Sequence, residues 1–319
     1  MSASIADLKL RHQFMLALLL VMLCAVPVLV FAGEALDYRL KARAVAPGVW
    51  VVEGARADFA PANGCNIINT GFVATGAGVT VVNTGPSYRY GQQLRALIER
   101  TTPEPIVRVV NLNQHPDYFL GNQAFADVPR AATPATHAAI ARDGQAFEDN
   151  LYRLCGDWMS GTHTLPPDTD AVTGSETVGR RRLEWMELAG HTDSDLVLTV
   201  DGQVLFAGGL VFSQRTPTTP HARLDAWRDS LDRLGALPPM VLVPSHGSVG
   251  ETGAMAQTAR YLTWLDTRLQ AAAEQGLDIP EILRLPVPEE FSRQAAFTTE
   301  YPRNIVHLYP RYEQAALRH

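Results

Sequence analysis

Ile106-Val107-Arg108-Val109-Val110-Asn111-Leu112-Asn113-Gln114-His115-Pro116-Asp117-Tyr118 (residues 106–118) runs from a β-branched segment straight into amides, one imidazole and one carboxylate. β-Branched side chains fit a pleated surface, so residues 106–111 read as a strand, and Pro116 cannot continue its ladder. Polar groups at a strand end sit on a rigid platform, which is where chemistry is usually carried. Working outward, Leu94, Leu97 and Ile98 recur at helical spacing from Tyr90, and Pro103 and Pro105 end that helix ahead of the strand. Earlier still, Val49–Glu53, Asn66–Val73 and Val79–Asn83 read as strands, the last two joined across Gly76-Ala77-Gly78.

Downstream, strand and helix signals keep alternating. A helix is expected from about Ala135 to Trp158, then a strand near Leu183–Leu188. Leu196–Val200 and Val204–Ala207 flank Asp201-Gly202, a hairpin signal. A helix over Leu224–Leu234, a short buried strand at Val241–Val243 and a long helix with the face Met255, Leu262, Leu265 and Leu269 follow. No repeat or linker divides the body, so hairpins and strand-helix units together predict an α/β fold of two sheets packed between helices. The region after Pro280 reads as a helical appendage.

Of the 319 residues, 46% are hydrophobic and 19% charged, which excludes collagenous, coiled-coil and disordered classes. A net charge of -6 without a basic block excludes a phosphate-coating nucleic-acid binder.

Met1–His12 is polar with Lys9 and Arg11, and the apolar run from Phe14 ends in Val30-Phe31-Ala32. This predicts a signal peptide over residues 1–32, cut before Gly33, or an uncleaved anchor of the same length. Either way the body is exported, to the periplasm or outside the cell. Cys24 leaves with the signal, so Cys65 and Cys155 remain in an oxidising compartment, as one disulfide or as two buried thiols.

Two further strand ends carry histidine: Gly190-His191-Thr192-Asp193-Ser194-Asp195 and Pro244-Ser245-His246-Gly247. Imidazoles and a carboxylate delivered by separate strand ends suit a borderline metal such as zinc, and together they outweigh any single loop histidine. Asp193 and Asp195 fit capping or turn roles better than ligand roles. His137, His163, His221 and His307 have no paired spacing and read as ordinary surface or packed residues. Gly76-Ala77-Gly78 lacks the third glycine of a dinucleotide fingerprint, and Ser248 lacks the glycine two residues before it that a nucleophile elbow needs.

Asn-x-His-x-Asp-Tyr at residues 113–118 resembles the His-x-His-x-Asp-His loop of the metallo-β-lactamase superfamily. Val82-Asn83-Thr84-Gly85 is similar to its Asp-Thr-Gly turn, and Gly121-Asn122-Gln123-Ala124-Phe125 to the Gly-Asn-x-x-Phe that follows the loop. Gly190-His191-Thr192, Leu205-Phe206-Ala207-Gly208-Gly209 and Val243-Pro244-Ser245-His246-Gly247 resemble the remaining motifs in order. The tail, with Tyr301-Pro302-Arg303-Asn304 and Tyr312-Glu313, more narrowly resembles the quinoprotein relay system zinc metallohydrolases. The resemblance implies a four-layer αββα sandwich over residues 33–250, with residues 251–319 as a helical extension packed on the same domain.

Carried over residue by residue, the resemblance implies Asn113, His115 and His191 at a first zinc site and Asp117, Tyr118 and His246 at a second. Gly209 stands where a bridging Asp is expected, and Asn83 replaces another acid beside the site. Four ligands survive, His115, Asp117, His191 and His246, while Asn113, Tyr118 and Gly209 are degenerate. Two divalent ions ~3.5–4 Å apart need bridging anions to offset their repulsion. Gly209 offers none, a Tyr118 phenol with a pKa of ~10 is a poor ligand, and Asn113 offers only a neutral carbonyl. The expectation is therefore one zinc ion or none.

With one ion, Asp117 serves as ligand or general base and Tyr118 as oxyanion donor or as filler of a lost ion's space. The predicted activity is hydrolysis of an ester, thioester or amide-type bond. The alternative is a non-catalytic relative binding a small ligand or a partner in a periplasmic quinoprotein pathway. Expected partners are a small-molecule substrate or ligand and quinoprotein dehydrogenase pathway components, with no nucleic acid and no membrane beyond an uncleaved anchor; the protein is expected to be a monomer.

Overall fold

The structure, a computed structural model, describes residues 36–171, 173–238, 240–250 and 253–318. It divides into the units Met1–Asp37 and Tyr38–His319. The expected signal peptide lies outside the described residues, and the fold is that of the second unit. None of its described helices is long and apolar enough to cross a membrane.

Seven strands form the first sheet in chain order: β1 (Arg43–Ala46), β2 (Val49–Val52), β3 (Thr70–Ala74), β4 (Val79–Val82), β5 (Ile106–Val110), β6 (Arg130–Ala132) and β7 (Thr169–Asp170). β1 to β4 are antiparallel, and the β3–β4 turn uses Gly76 and Gly78 at φ 87° and 120°, where a Cβ would be strained. From β4 to β7 the pairing is parallel, and the crossovers hold α1 (Tyr88–Thr101), α2 (Pro116–Phe119) and α3 (Pro134–Cys155). Ser87 caps α1 by accepting from the Tyr90 amide. The helix expected over 135–158 ends at Cys155, because Gly156 turns the chain with φ 56° into a 3-10 turn.

The second sheet has the order β13-β11-β10-β9-β8, from β8 (Gly174–Val178), β9 (Arg181–Leu188), β10 (Asp195–Val200), β11 (Val204–Phe206) and β13 (Val241–Val243). The hairpin expected at Asp201-Gly202 joins β10 to β11, with positive φ at both residues. A separate two-stranded ladder pairs β12 (Phe212–Ser213) with β14 (His246–Gly247). The helices α4 (Leu224–Gly235), α5 (Ala254–Glu274), α6 (Ile279–Arg284), α7 (Glu289–Ser292) and α8 (Phe297–Ala316) complete the chain.

Alternation places one face of each sheet inside. Val51, Val73, Val82 and Val110 of the first sheet meet Leu183, Leu196, Leu198 and Phe206 of the second. The outer face of the first sheet packs Phe72, Val81 and Val109 on Leu94 and Ile98 of α1. The outer face of the second packs Val197, Leu205 and Leu242 on a helical layer that includes Trp227 of α4, Leu265 of α5 and Ile305 of α8. Each such side chain contributes roughly 1.5–3 kcal/mol on burial. The result is a four-layer αββα sandwich, with the C-terminal helices sharing the core of α4 and α5. Cys65, ahead of β3, is bonded to Cys155 at the end of α3, with Cα atoms 6.0 Å apart.

Candidate functional site

The loop after β5 is held by amides. Asn83, at φ 60°, accepts the Leu112 amide on Oδ1 at 2.9 Å, and Asn111 Nδ2 donates to the Tyr118 carbonyl at 2.9 Å. Asn122 donates to Asn111 Oδ1 at 2.8 Å and accepts from the Thr84 hydroxyl at 2.8 Å. All four polar residues are buried, so these bonds satisfy groups that would otherwise lose their solvation. Asn83 thus positions the backbone of the loop through its Oδ1.

His246 stands at the start of β14, stacked on Phe212 of β12 with ring centroids 4.9 Å apart. Asn69 Nδ2 donates to the carbonyls flanking it, Pro244 and Gly247. Its Nε2 lies 2.9 Å from Asp117 Oδ2, and its Nδ1 lies 2.8 Å from Ser245 Oγ. A serine hydroxyl has one proton. Given to the Val211 carbonyl 3.2 Å away, it leaves Oγ to accept from Nδ1–H. His246 Nε2 and the Asp117 carboxylate then face each other as acceptors, an arrangement that a proton or a cation between them completes.

His191 follows Gly190, where φ is 134° and a Cβ would strike the backbone of Trp227. Asp195 closes the turn by accepting the Thr192 amide on Oδ2 at 2.8 Å, and its Oδ1 makes a long contact of 3.4 Å with His191 Nδ1. Both the expected turn role and a contact to the histidine therefore fall to this one carboxylate. His191 Nε2 lies 3.4 Å from Thr218 Oγ1. The His191 and His115 rings meet edge to face, 4.5 Å between centroids.

His221, read from sequence as an ordinary residue, belongs in this cluster. Its Nδ1 is 3.0 Å from His115 Nε2. The misreading has a simple cause: His221 lies on a loop ahead of α4 with no strand and no partner at a telling spacing. A weak signal was available in the run Thr216–His221, which places a histidine between two apolar elements without a turn glycine.

The degenerate positions are now explicit. Asn113 accepts the His115 amide on Oδ1 at 3.0 Å and directs Nδ2 toward Asp195 at 3.3 Å, so its carbonyl oxygen is engaged by the backbone. Tyr118 is fully buried, and its hydroxyl makes no hydrogen bond of ordinary geometry. Burial first, and then the Asp117 charge, push its pKa well above 10, although Ser245 and Asn113 pull the other way. Gly209 has no side chain, and the His191 ring occupies the space its Cβ would take. A binuclear centre does not fit these residues.

Burial keeps the His115, His221 and His246 imidazoles neutral. His115 is held well below 6.5 by burial, reinforced by His191, His221 and His246. His246 falls to about 4 because burial outweighs the stabilising Asp117 carboxylate, and burial also lowers His221. Neutral imidazoles are metal-competent donors. Yet among the described residues no three His, Cys, Asp or Glu are grouped as ligands of one ion. The donors stand as the pairs His246–Asp117 and His115–His221, with His191 beside them. Their separations of 2.9 and 3.0 Å approach the ~3.3 Å between neighbouring ligands of a tetrahedral zinc with bonds of ~2.0–2.1 Å.

A family model described as the metallo-beta-lactamase superfamily matches residues 63–246, more than half of the chain. Among solved structures, a metallo-beta-lactamase from Pontibacter korlensis is similar with a TM-score of 0.58 and 22% identity, over 70% of this chain and 99% of that one. The metallo-beta-lactamase IND-7 gives 0.57 and 18%, over 72% and 100%. FIM-1 from Pseudomonas aeruginosa, a structure of its mono-zinc form, gives 0.55 and 18%, over 70% and 95%. At these identities the likeness is one of fold. No curated protein sequence matches the chain.

Proposed function

The chain belongs to the metallo-β-lactamase superfamily, and from that premise we propose that it is an exported hydrolase working with one zinc ion rather than two. His115, His191, His246 and Asp117 would hold the ion. The observation that carries this reading is the wiring behind two histidines. Nδ1 of His246 faces the buried Ser245 hydroxyl, which leaves its Nε2 to Asp117, and Nδ1 of His191 lies 3.4 Å from both the buried Asp195 carboxylate and the Asn113 amide. Oxygen partners on the far nitrogen orient and tune metal-binding imidazoles.

Bound there, zinc would lower the pKa of a coordinated water toward neutrality and polarise the bond to be cleaved. The chain supplies the rest. Asp117 would serve either as a ligand or as the general base that takes a proton from an attacking water. The Tyr118 hydroxyl keeps its proton and can donate it to a developing oxyanion. The substrate class is an ester, thioester or amide-type bond of a small molecule.

The tail motif supports placement among the quinoprotein relay system zinc metallohydrolases, with quinoprotein dehydrogenase pathway components as partners. The Cys65–Cys155 bond supports an oxidising compartment such as the periplasm. We take residues 1–32 as the signal, 33–250 as the hydrolase domain and 251–319 as its helical extension, in a monomer.

Metal content of the purified protein tests the reading, together with thermal shift on adding zinc. One ion per chain with a rise in Tm is expected; two tightly held ions would overturn it. None, without a shift, would favour a non-catalytic ligand-binding relative, a reading that the absence of any grouped three donors among the described residues supports.

A further inference from the structure

We infer that residues 214–223, between β12 and α4, form a strap closed over the histidine cluster, and that the C-terminal helix α8 is the latch that sets how often it opens. Such a strap would gate a one-zinc hydrolase and a metal-free ligand binder alike.

The cluster is shut off from water. His191 and Asp195 have no exposure, Asp117 has 2% and His115 7%. A small molecule cannot reach these groups until part of the wall moves. The strap lies directly on them: Thr218 Oγ1 is 3.4 Å from His191 Nε2, and His221 Nδ1 is 3.0 Å from His115 Nε2. Thr218, Pro220 and His221 also reach the surface, so the strap stands between the cluster and solvent.

Of the elements around the cluster, the strap is the one free to lift. The loop after β5 is tied down by the buried amides of Asn83, Asn111 and Asn122, and His246 stands in a β-ladder. Residues 216–223 belong to no helix or strand. At the strap's start Gln214 takes φ 55°, a left-handed conformation that a side chain disfavours, and a residue at the end of a strand is where a hinge absorbs a change of direction.

The strap is held from behind. Asn304 of α8 donates from Nδ2 to the Pro217 carbonyl at 2.8 Å and accepts the Thr219 hydroxyl on Oδ1 at 2.8 Å. Arg311 of α8 donates to the Ala222 carbonyl at 2.9 Å, and Glu300 of α8 accepts from Arg215 at 3.0 Å. Toward the cluster, by contrast, Thr218 and His221 make one long contact and one ordinary one. Tyr301, Ile305 and Leu308 root α8 in the helical layer, so the helix stays in place when the strap lifts. The latch therefore comes from beyond residues 63–246, the part matched by the family model.

The experiment treats the chelator-washed full chain with diethyl pyrocarbonate, which acylates accessible neutral imidazoles, and follows each histidine by peptide mass spectrometry. His163, with a side chain 76% exposed, is the internal reference. In the wild type, His115 and His191 should label on the order of 100-fold or more slower than His163, since they react only in the locally opened state. Thr219→Val removes one strap bond and should speed their labelling about 2- to 10-fold, and Asn304→Ala removes two and should speed it about 5- to 100-fold, the worth of net hydrogen bonds in an opening equilibrium. Hydrogen exchange should quicken at the Thr216 and Arg223 amides while those of β10 keep wild-type protection. His191 labelling that is the same in the wild type and both variants would overturn the inference. So would acceleration seen only together with faster exchange across β10, because access would then come from global unfolding. Metal enters none of these readouts, so the one-zinc reading stands or falls separately.

Discussion

The ring of His191 fills the space that a side chain on Gly209 would enter: a Cβ built there overlaps Nδ1 of the imidazole and crowds Nδ2 of Asn113. The missing bridging carboxylate and the position of a surviving ligand are thus one structural fact. Restoring Asp at 209 cannot simply restore a bridge. Gly209→Ala should destabilise the fold by about 1–3 kcal/mol, the usual range for overpacking a filled core. Gly209→Asp should do so at least as strongly and leave zinc content at one ion or fewer. Urea midpoints and metal analysis check both, and a second bound ion in Gly209→Asp would refute the account.

Stability should fall in mild acid. His246 has a folded pKa of about 4, below its ordinary 6.5, and His115 is depressed as well. A depressed pKa means that the unfolded chain takes up protons first, so stability is complete above pH 6.5 and is lost as pH falls toward 4. The His246 shift alone corresponds to on the order of 3 kcal/mol. Denaturant titrations of the metal-free protein between pH 7 and 4 should show this slope, and His246→Asn should flatten it. An unchanged slope in that variant would assign the acid sensitivity elsewhere.

Tyr118 separates two roles cleanly. If its hydroxyl only fills space, removing a buried, unpartnered polar atom should be neutral or stabilise by about 1 kcal/mol. If it donates to an oxyanion, Tyr118→Phe should leave zinc affinity and fold intact while lowering kcat about 10²–10³-fold with little change in KM. Thermal unfolding beside steady-state kinetics on an ester substrate distinguishes the outcomes, and the second is expected.

Much of this architecture was legible because its signals are local. Alternation in Val79–Val82, the glycine turn before it and the helical spacing of Leu94 and Ile98 each follow from a few neighbouring residues. The short strands β6, β7, β12 and β14 were not legible, since two or three residues carry no periodicity and their pairing is set by the sheets around them. The site divided the same way. His115, Asp117, His191 and His246 could be read from strand ends, but His221 sits on a loop whose Pro217 and Ala222 carbonyls accept from Asn304 and Arg311, far along the chain. Gly209 was legible as a loss, yet that His191 would occupy its place depended on packing no spacing reveals.

The Cys65–Cys155 bond spans a sequence separation of 90 residues. Closing a loop of that size stabilises by about 4–5 kcal/mol in the chain-entropy model. Cys65→Ser with Cys155→Ser should cost a comparable amount by urea denaturation, and a thiol-reducing agent should reproduce the loss in the wild type. The bond ties the end of α3 to the segment leading into β3.

Arg215 gives the last prediction. Its guanidinium is almost wholly buried and donates from Nε to the Ala57 carbonyl at 3.0 Å, from one terminal nitrogen to the Thr216 carbonyl at 3.0 Å and from the other to Glu300 Oε1 at 3.0 Å. The pair joins α8 to the segment after β12. Removing one partner strands a buried charge, whereas replacing both with apolar groups of like volume does not. Glu300→Ala should therefore cost about 3–5 kcal/mol, and Arg215→Met with Glu300→Leu should recover most of that loss. A double variant as unstable as the single one would show that the hydrogen bonds to Ala57 and Thr216, rather than the charge pair, hold the helix in place.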